Sequence, residues 1–393
     1  MPRVRPIDLR KTLMGGEGQF NAGRWGDATA NPRRASMPLA DSPHVDLLEQ
    51  YRRLGERLFE RHRFELTPYF QNAAHVVRLC GSYFGHRTAD GIAAQARAFV
   101  DLYERTARGD TTEVPFMHRG RHSAPGSLPV VRETLTPDVL QIADGHHRLA
   151  VAWALGRREA EAAVRRRRTP TTLQSLVLTC AQTHGRRELY QPIEGAEFDG
   201  GWRLVRRCRD RLAMMLDFLD ATGRPPATLS VLDLACSYGW FVREFASRGS
   251  AATGVDADLA ALKIGRIAYG LGTEQTVHSD VRTFLSGCDR TWDVVLLLSV
   301  LHHFVLKRGA AGPEQLLRQV DRITGSCLFL DTGQAHERWW RGALSAWNDA
   351  FVIDFIRRHT SFTRVVPLGA DGDDAGAYHG NYRRTLFACV RGA

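Results

Sequence analysis

The sharpest change of pattern falls at residues 229–239, where an apolar run (Leu229, Val231, Leu232, Leu234) gives way to small residues and then to an amphipathic repeat. The run suits a strand buried on both faces of a parallel sheet, and Phe241, Val242 and Phe245 share one side of a helix predicted over 240–248. Apolar runs predict six further strands at 252–256, 275–278, 292–300, 327–330, 362–368 and 385–390, alternating with helices. A polar Asp/Gly-rich loop, 370–382, joins the last two. Upstream, Leu47, Leu48, Tyr51, Leu54, Leu58 and Phe59 recur every three or four positions, predicting a helix over 45–64 that stops before Thr67 and Pro68. Helices at 69–80 and 88–108 follow, then short strands at 129–132, 139–142 and 161–165 around a helix at 146–155. A short helix over 171–178, an extended crossing segment at 188–193 and an amphipathic helix over 202–219 lead back to the run at 229. That last helix carries Leu204, Cys208, Leu212, Met215 and Leu219 as a core stripe. Residues 1–43 are rich in Gly, Pro and Arg without a sustained period and read as a tail, mobile or draped on the surface.

Asp233, Leu234, Ala235, Cys236, Ser237, Tyr238 and Gly239 follow in line where the first strand of the C-terminal set ends. Small side chains at 235, 237 and 239 would let the backbone approach a ligand closely. By itself this is a strand, turn and helix that a nucleotide-binding or purely structural unit can also use. A second acid, Asp256, ends the next strand 23 positions later, where a carboxylate can accept hydrogen bonds from both hydroxyls of a ribose. Asp258 reads as a helix N-cap. The stretch resembles the first motif of the class I S-adenosylmethionine (SAM)-dependent methyltransferases, Asp-x-Gly-x-Gly-x-Gly, with Ala235 and Ser237 in place of two glycines. The resemblance spans the C-terminal half and implies an α/β fold with a seven-stranded Rossmann-like sheet and SAM as cofactor. It puts Asp233, Ala235, Cys236, Ser237, Tyr238 and Gly239 around that cofactor. It further implies Asp256 and Ala257 at the ribose, Asp280 and Val281 at the adenine, and Ser299 beside the cofactor at the end of the fourth strand.

Methyl transfer from a sulfonium is an in-line displacement, so the protein must hold nucleophile, methyl carbon and sulfur in one line and exclude water. A hydroxyl acceptor also needs a base. His302 and His303 follow the fourth strand at its carboxyl end, and an unperturbed imidazole titrates near ~6.5, able to take a proton at neutral pH. In the resembled family such histidines are often structural, so the pair reads either as a catalytic base, His303 ahead of His302, or as packing of the turn. Asp331 and Thr332 are further candidates to bind substrate.

Farther upstream, Ile142, Ala143, Asp144, Gly145, His146, His147 and Arg148, running on to Leu155 and Gly156, resemble the ParB/sulfiredoxin-like domain. That smaller α+β fold is marked by a strand, a Gly-x-x-Arg turn and a helix ending in Leu-Gly. The resemblance implies a substrate or phosphate site at Asp144, Gly145, His146, His147 and Arg148. Free backbone N–H groups at a helix start attract an anion, and an arginine adds a bidentate contact. The alternative is a turn whose histidines and arginine bind substrate or cap a helix. The expected organisation is a tail (1–43), a helical lead-in (44–110), the ParB/sulfiredoxin-like domain (111–168), a linker with roofing helices (169–228) and the methyltransferase domain (229–393).

At 393 residues the chain exceeds one typical domain. Apolar stretches stay well short of the ~20 residues that cross a bilayer, and the first residues lack a secretory core. Seven scattered cysteines without a Cys-x-x-Cys pair point to reduced thiols in a cytoplasm, with no membrane partner. The net charge of +10 is dispersed. Its one dense run, the arginines of 165–168, reads as a solvated linker or edge-strand guard rather than a phosphate-tracking patch. His118 and His122 have a two-ligand spacing, but Pro115 and Gly120 argue against a helix and no metalloprotease Glu is present, so no metal is expected.

Three functions stay open. One is O-methylation of a small molecule such as a sugar, sugar phosphate or secondary metabolite, with the ParB-like unit gripping a phosphorylated or nucleotide-linked acceptor. The second is methylation of RNA or tRNA, and the third a non-catalytic regulator. The fourth strand runs into Ser299, Val300, Leu301 and His302 rather than an Asn-Pro-Pro-Tyr-type motif, which favours hydroxyl chemistry.

Overall fold

The computed structural model describes residues 3–15, 36–110, 128–306 and 312–391. They divide between unit 1 (Met1–Ser175 with Glu194–Gly201) and unit 2 (Leu176–Ile193 with Trp202–Ala393). Part of the expected tail proves to be strand: Arg3–Asp8 (β1) and Thr12–Leu13 (β2) are built into the sheet of unit 1. Four helices follow, α1 (Pro43–Leu54), α2 (Arg61–Phe64), α3 (Pro68–Cys80) and α4 (Ala89–Ala107). The rest of the unit is β3 (Val130–Glu133), β4 (Leu140–Asp144), α5 (His146–Ala154) and β5 (Glu159–Arg165). The predicted helix over 45–64 stops at Leu54 because Gly55 turns the chain with φ +56°.

The five strands lie in the order β1-β5-β3-β4-β2. β1 runs antiparallel to β5 along an edge, the one place in a sheet where Pro6 can sit without breaking a ladder on both sides. Ile7, Leu9 and Met14 bury themselves in a core that continues through Leu47, Phe99 and Ile142 to Val164. The helices at 44–110 and the sheet therefore share one core, not the two expected, and 3–14 belongs to it. β5 lies between β1 and β3, so the edge-guard reading of the 165–168 arginines gives way to the solvated one: all four are exposed.

Unit 2 begins within α6 (Thr172–Thr179) and continues with β6 (Glu188–Leu189), β7 (Arg203–Leu204) and α7 (Arg209–Ala221). The helix predicted over 202–219 starts only at Arg209. Leu204, assigned to its core stripe, is an exposed strand residue pairing with Leu189, and Cys208 has φ +67°. The sheet then follows: β8 (Ser230–Leu234), α8 (Trp240–Ala246), β9 (Ala251–Asp256), α9 (Leu259–Ala268), β10 (Thr276–His278) and α10 (Val281–Ser286). It continues with β11 (Trp292–Leu298), α11 (Leu301–Val305), α12 (Pro313–Ile323), β12 (Thr324–Asp331), α13 (Asp349–His359), β13 (Arg364–Ala370) and β14 (Thr385–Val390).

The order is β10-β9-β8-β11-β12-β14-β13, parallel apart from β14, which runs antiparallel to both neighbours. Strand periodicity feeds two cores. Leu232, Leu234, Val295 and Leu297 pack on one face, while Val231, Val294, Leu296 and Leu298 pack on the other. The order reverses between β8 and β11, and a sheet of this kind opens its binding crevice beyond the carboxyl ends of those strands.

Candidate active site

Three residues of the turn after β8 have left-handed backbone: Ala235 (φ +59°), Ser237 (+53°) and Gly239 (+80°). These are the positions at which the resembled motif carries glycine, so two side chains here bear a conformation that costs an L-residue about 1 kcal/mol or more. At Gly239 a Cβ would in addition lie 2.8 Å from Leu271 Cδ1, so that the end of this side chain would have to shift. Gly239→Val is therefore expected to combine a backbone penalty with a clash, lowering stability by about 2 kcal/mol and SAM affinity with it. Thermal melting and calorimetry would register both; unchanged affinity would free the turn from a role in binding.

Asp256 ends β9 beside this turn, with one carboxylate oxygen accepting the Ser237 N–H and the other the Asp258 N–H, each at 2.7 Å. Asp258 caps α9 as expected, accepting from Ala260 and Ala261. The Ala257 carbonyl meets His278 Nε2 at 3.0 Å. Asp280 is exposed and caps α10 through the N–H groups of Arg282 and Thr283, and Val281 opens that helix.

A cavity opens beside the turn. Of the expected residues it is lined by Asp233, Ala235 and Ser299; of those not expected, by Gln191, Arg206 and Arg211, among others. Asp233 Oδ2 and Ser237 Oγ are buried and have no hydrogen-bond partner among the described residues. Burial, reinforced by the neighbouring Asp256 charge, pushes the Asp233 carboxyl well above the usual range despite Arg211, and burial also raises Asp256. Buried acceptors that find no donor within the protein suit a ligand bringing its own, and SAM brings an ammonium group and two ribose hydroxyls.

Sequence reasoning passed over the strap that crosses the turn. Gln191, 5% exposed, donates from Nε2 to the Cys236 carbonyl at 3.1 Å and accepts the Trp240 N–H on Oε1 at 3.2 Å. Tyr190 N–H donates to the hydroxyl of Tyr238, itself fully buried. Residues 188–193 carry no periodicity, and that is why they read only as extended chain.

The second omission is a buried charge network at the carboxyl end of β11 and β12. Arg206 reaches Asp331 (3.5 Å), Asp371 (3.3 Å) and Asp373 (3.1 Å), while Arg211 reaches Asp331 (3.1 Å) and Asp373 (3.5 Å). Arg384 makes a two-pronged pair with Glu337, 2.9 Å on each side. Ser299 (φ +60°) is the meeting point: its N–H and hydroxyl donate to Asp331 Oδ1, and its oxygen accepts from Arg384 (3.0 Å) and Arg206 (3.3 Å). Burial alone would raise Asp331, but the three arginines hold its carboxyl below the usual range; at Asp373 burial wins and the carboxyl rises. The signal was present in sequence as two complementary blocks, arginines at 206, 207, 209 and 211 and aspartates at 371, 373 and 374.

Neither histidine after β11 is among the residues lining the cavity. His302 is buried, spends its Nδ1 lone pair on the Gly333 N–H (3.1 Å) and packs against Trp340. His303 is partly exposed, its ring tilted by 38° against that of His302 with centroids 4.3 Å apart. Of the pair, His302 thus has a clear packing role.

In unit 1 the turn between β4 and α5 has Gly145 at φ +88°, and a Cβ there would fall 2.8 Å from Pro129, so both the backbone and the space favour glycine. Asp144 and Arg148 face each other at 3.6 Å. His146 and His147 turn inward, 5% and 4% exposed. His147 Nε2 lies 2.9 Å from the Tyr69 hydroxyl among His44 and Phe99. Of the residues expected to form a substrate or phosphate site at this turn, these two are thus side chains of the core. His118 and His122 lie outside the described residues.

The family description "Methyltransferase domain" matches residues 231–323. The chain is 30% identical over 151 residues to the O-antigen chain terminator bifunctional methyltransferase/kinase WbdD of Escherichia coli, covering 36% of this chain and 21% of that protein. The chain thus spans about a fifth of the length of the curated relatives it matches. Among solved structures it is similar to WbdD (22% identity, 56% of this chain and 46% of that one, TM-score 0.43). It is also similar to magnesium protoporphyrin IX methyltransferase ChlM of Synechocystis PCC 6803 with bound SAM (16% identity, 47% and 79%, TM-score 0.34). Unit 2 carries a SAM-dependent methyltransferase domain, and SAM is its cofactor. Among the described residues no helix is long and apolar enough to cross a membrane.

Proposed function

We propose that the chain transfers the methyl group of SAM to a hydroxyl of a small polar acceptor, a sugar or a related metabolite. The observation that carries this reading is the small cavity between the cofactor turn and Ser299, where the committed guanidinium groups of Arg206 and Arg211 share the wall with Phe241 and Leu298. Three arginines (206, 211, 384) face four carboxylates (Asp331, Asp371, Asp373, Glu337), so they offer hydrogen bonds and no surplus positive charge. Of these groups Arg206 and Arg211 border the cavity; because both are already neutralised, the site suits a neutral hydroxylated acceptor better than a phosphate dianion, and the surplus of negative charge suits the sulfonium of SAM.

In this reading Asp233 receives the ammonium group, Asp256 the ribose hydroxyls through lone pairs that Ser237 and Asp258 leave open, and Asp280 or the Val281 amide the adenine edge. Ser299, Arg206 and Arg384 orient the acceptor. Bound SAM supplies the electrophilic methyl carbon; the residues around it align the hydroxyl and exclude water, while the base that the sequence offers for the proton, His303, stands outside the cavity lining. Calorimetry with SAM tests the cofactor half. Asp256→Ala is expected to weaken binding by about 1.5–3 kcal/mol, the usual loss of charge-assisted hydrogen bonds. Equal affinity in wild type and variant would move the ribose elsewhere.

A further inference from the structure

Of the large apolar side chains of unit 2 that are mainly exposed among the described residues, Trp339 is the aromatic one, 48% exposed. Its backbone is nonetheless held firmly. The Trp339 N–H donates to Asn381 Oδ1 at 3.0 Å, and the Arg338 N–H to the Gly380 carbonyl at 3.0 Å. Gly380 also gives the Arg338 guanidinium its seat, since a Cβ there would lie 2.5 Å from Arg338 Nε. The indole stands nearly perpendicular to Tyr382 (centroids 5.2 Å, 84°) and Tyr378 (6.0 Å, 79°), both more than nine-tenths buried. Beneath it the chain is strained: Tyr382 (φ +62°) and Arg383 (φ +54°) are consecutive left-handed non-glycine residues, a conformation kept only where the surroundings enforce it.

This platform is tied to the cavity. The Tyr382 ring lies under the guanidinium groups of Arg206 (4.3 Å) and Arg384 (5.1 Å), and those two arginines donate to the Ser299 hydroxyl. One aromatic ring thus separates Trp339 from the groups that meet the acceptor. We propose that Trp339 is a stacking platform for a saccharide ring of the acceptor, one ring away from the hydroxyl that is methylated. The proposal rests on the SAM-dependent hydroxyl reading given above.

The choice of occupant follows from chemistry. A pyranose offers a C–H face to an aromatic ring and hydroxyls around its rim, and the residues that follow or precede Trp339, Tyr378 and Tyr382 in the chain, Arg338, His379 and Arg383, are polar and exposed. A protein partner would need about 800 Å² with a core poor in charge. The other exposed large apolar residues of unit 2, Leu204 and Leu259, are aliphatic and lie in separate elements. A rigid backing also spares a weak ligand the cost of ordering the site.

The experiment uses the whole protein saturated with S-adenosylhomocysteine and titrated with cellobiose, maltose, lactose and N,N′-diacetylchitobiose. Saturation-transfer NMR and tryptophan fluorescence provide the readout. At least one disaccharide is expected to bind with a dissociation constant below about 10 mM, to weaken about tenfold in Trp339→Ala and to be largely retained in Trp339→Phe. S-adenosylhomocysteine affinity should be the same in all three proteins. Absence of binding by all four sugars to wild type overturns the proposal, and so does equal binding by Trp339→Ala. A fall in sedimentation mass of Trp339→Ala without loss of sugar binding would assign the indole to a contact between copies and likewise overturn it. If S-adenosylhomocysteine itself does not bind, the cofactor reading fails, while the sugar titration still decides the role of Trp339.

Discussion

Arg206→Met is expected to destabilise unit 2 by about 3–5 kcal/mol, the cost of leaving buried carboxylates without their counter-charge. Arg206 is 1% exposed and touches three aspartates that come from two separated parts of the chain, Asp331 at the end of β12 and Asp371 and Asp373 in the loop before β14. Arg211 remains in the variant but reaches only two of them. The surviving carboxylates would then be raised by burial with less to oppose it, so the loss should be largest at neutral pH and shrink in acid as they take up protons. Denaturant titration at pH 7 and pH 5 measures this, and Asp373→Asn added to Arg206→Met should recover part of the loss. A loss of less than about 1 kcal/mol at pH 7 would mean that the network is not what holds the loop.

That network explains which parts of the site were legible in sequence and which were not. Strand and helix periodicity are local, so the seven strands of the larger sheet of unit 2, the turn at 235–239 and the cap at Asp258 could be read from spacing, whereas the cap at Asp280 was not. The wall of the cavity depends on contacts between residues more than a hundred positions apart, such as Arg206 with Asp331 and Arg211 with Asp373, and spacing carries no trace of these. Pulling Arg206 inward also ends the helix pattern early. Cys208 takes a left-handed turn and Leu204 is left exposed, so a stripe that fits a helix on paper is strand and bend in the structure.

The N-terminal strands were missed for a related reason. β1 is six residues long, contains Pro6 and buries Ile7, so its composition resembles that of a tail while its partner β5 lies more than 150 positions away. The turn residues Ala235 and Ser237 sit in the opposite case. Sequence showed a departure from glycine, and the structure shows that the left-handed backbone persists without it. Strain retained at Ala235 and Ser299, both bordering one cavity, and at Ser237 in the same turn is what a preorganised ligand site would keep and a purely structural turn would shed.

Unit 1 holds a buried acid whose titration should dominate its pH dependence. Glu197 is 4% exposed; its carboxylate accepts from the Thr171 hydroxyl, and its backbone carbonyl accepts from the Gln174 side chain at 2.7 Å and from the Thr136 hydroxyl. Burial pushes its carboxyl up to about 7 from 4.5, only partly opposed by hydrogen bonds from Thr171 and Ser36. Below the unfolded value both states hold the proton and the group contributes nothing to the pH dependence. Between the two values the folded state keeps a proton that the unfolded state has lost, so stability falls as pH rises. Above about 7 the full cost of a buried carboxylate is present, roughly 3 kcal/mol by the size of the shift. Glu197→Gln keeps the shape and removes the charge. The variant is expected to overtake wild type as pH rises from 5 to 8, by up to about 6–12 °C in the melting of unit 1 for a gain of that size. Parallel melting curves for the two proteins across that range would show that Glu197 does not titrate there.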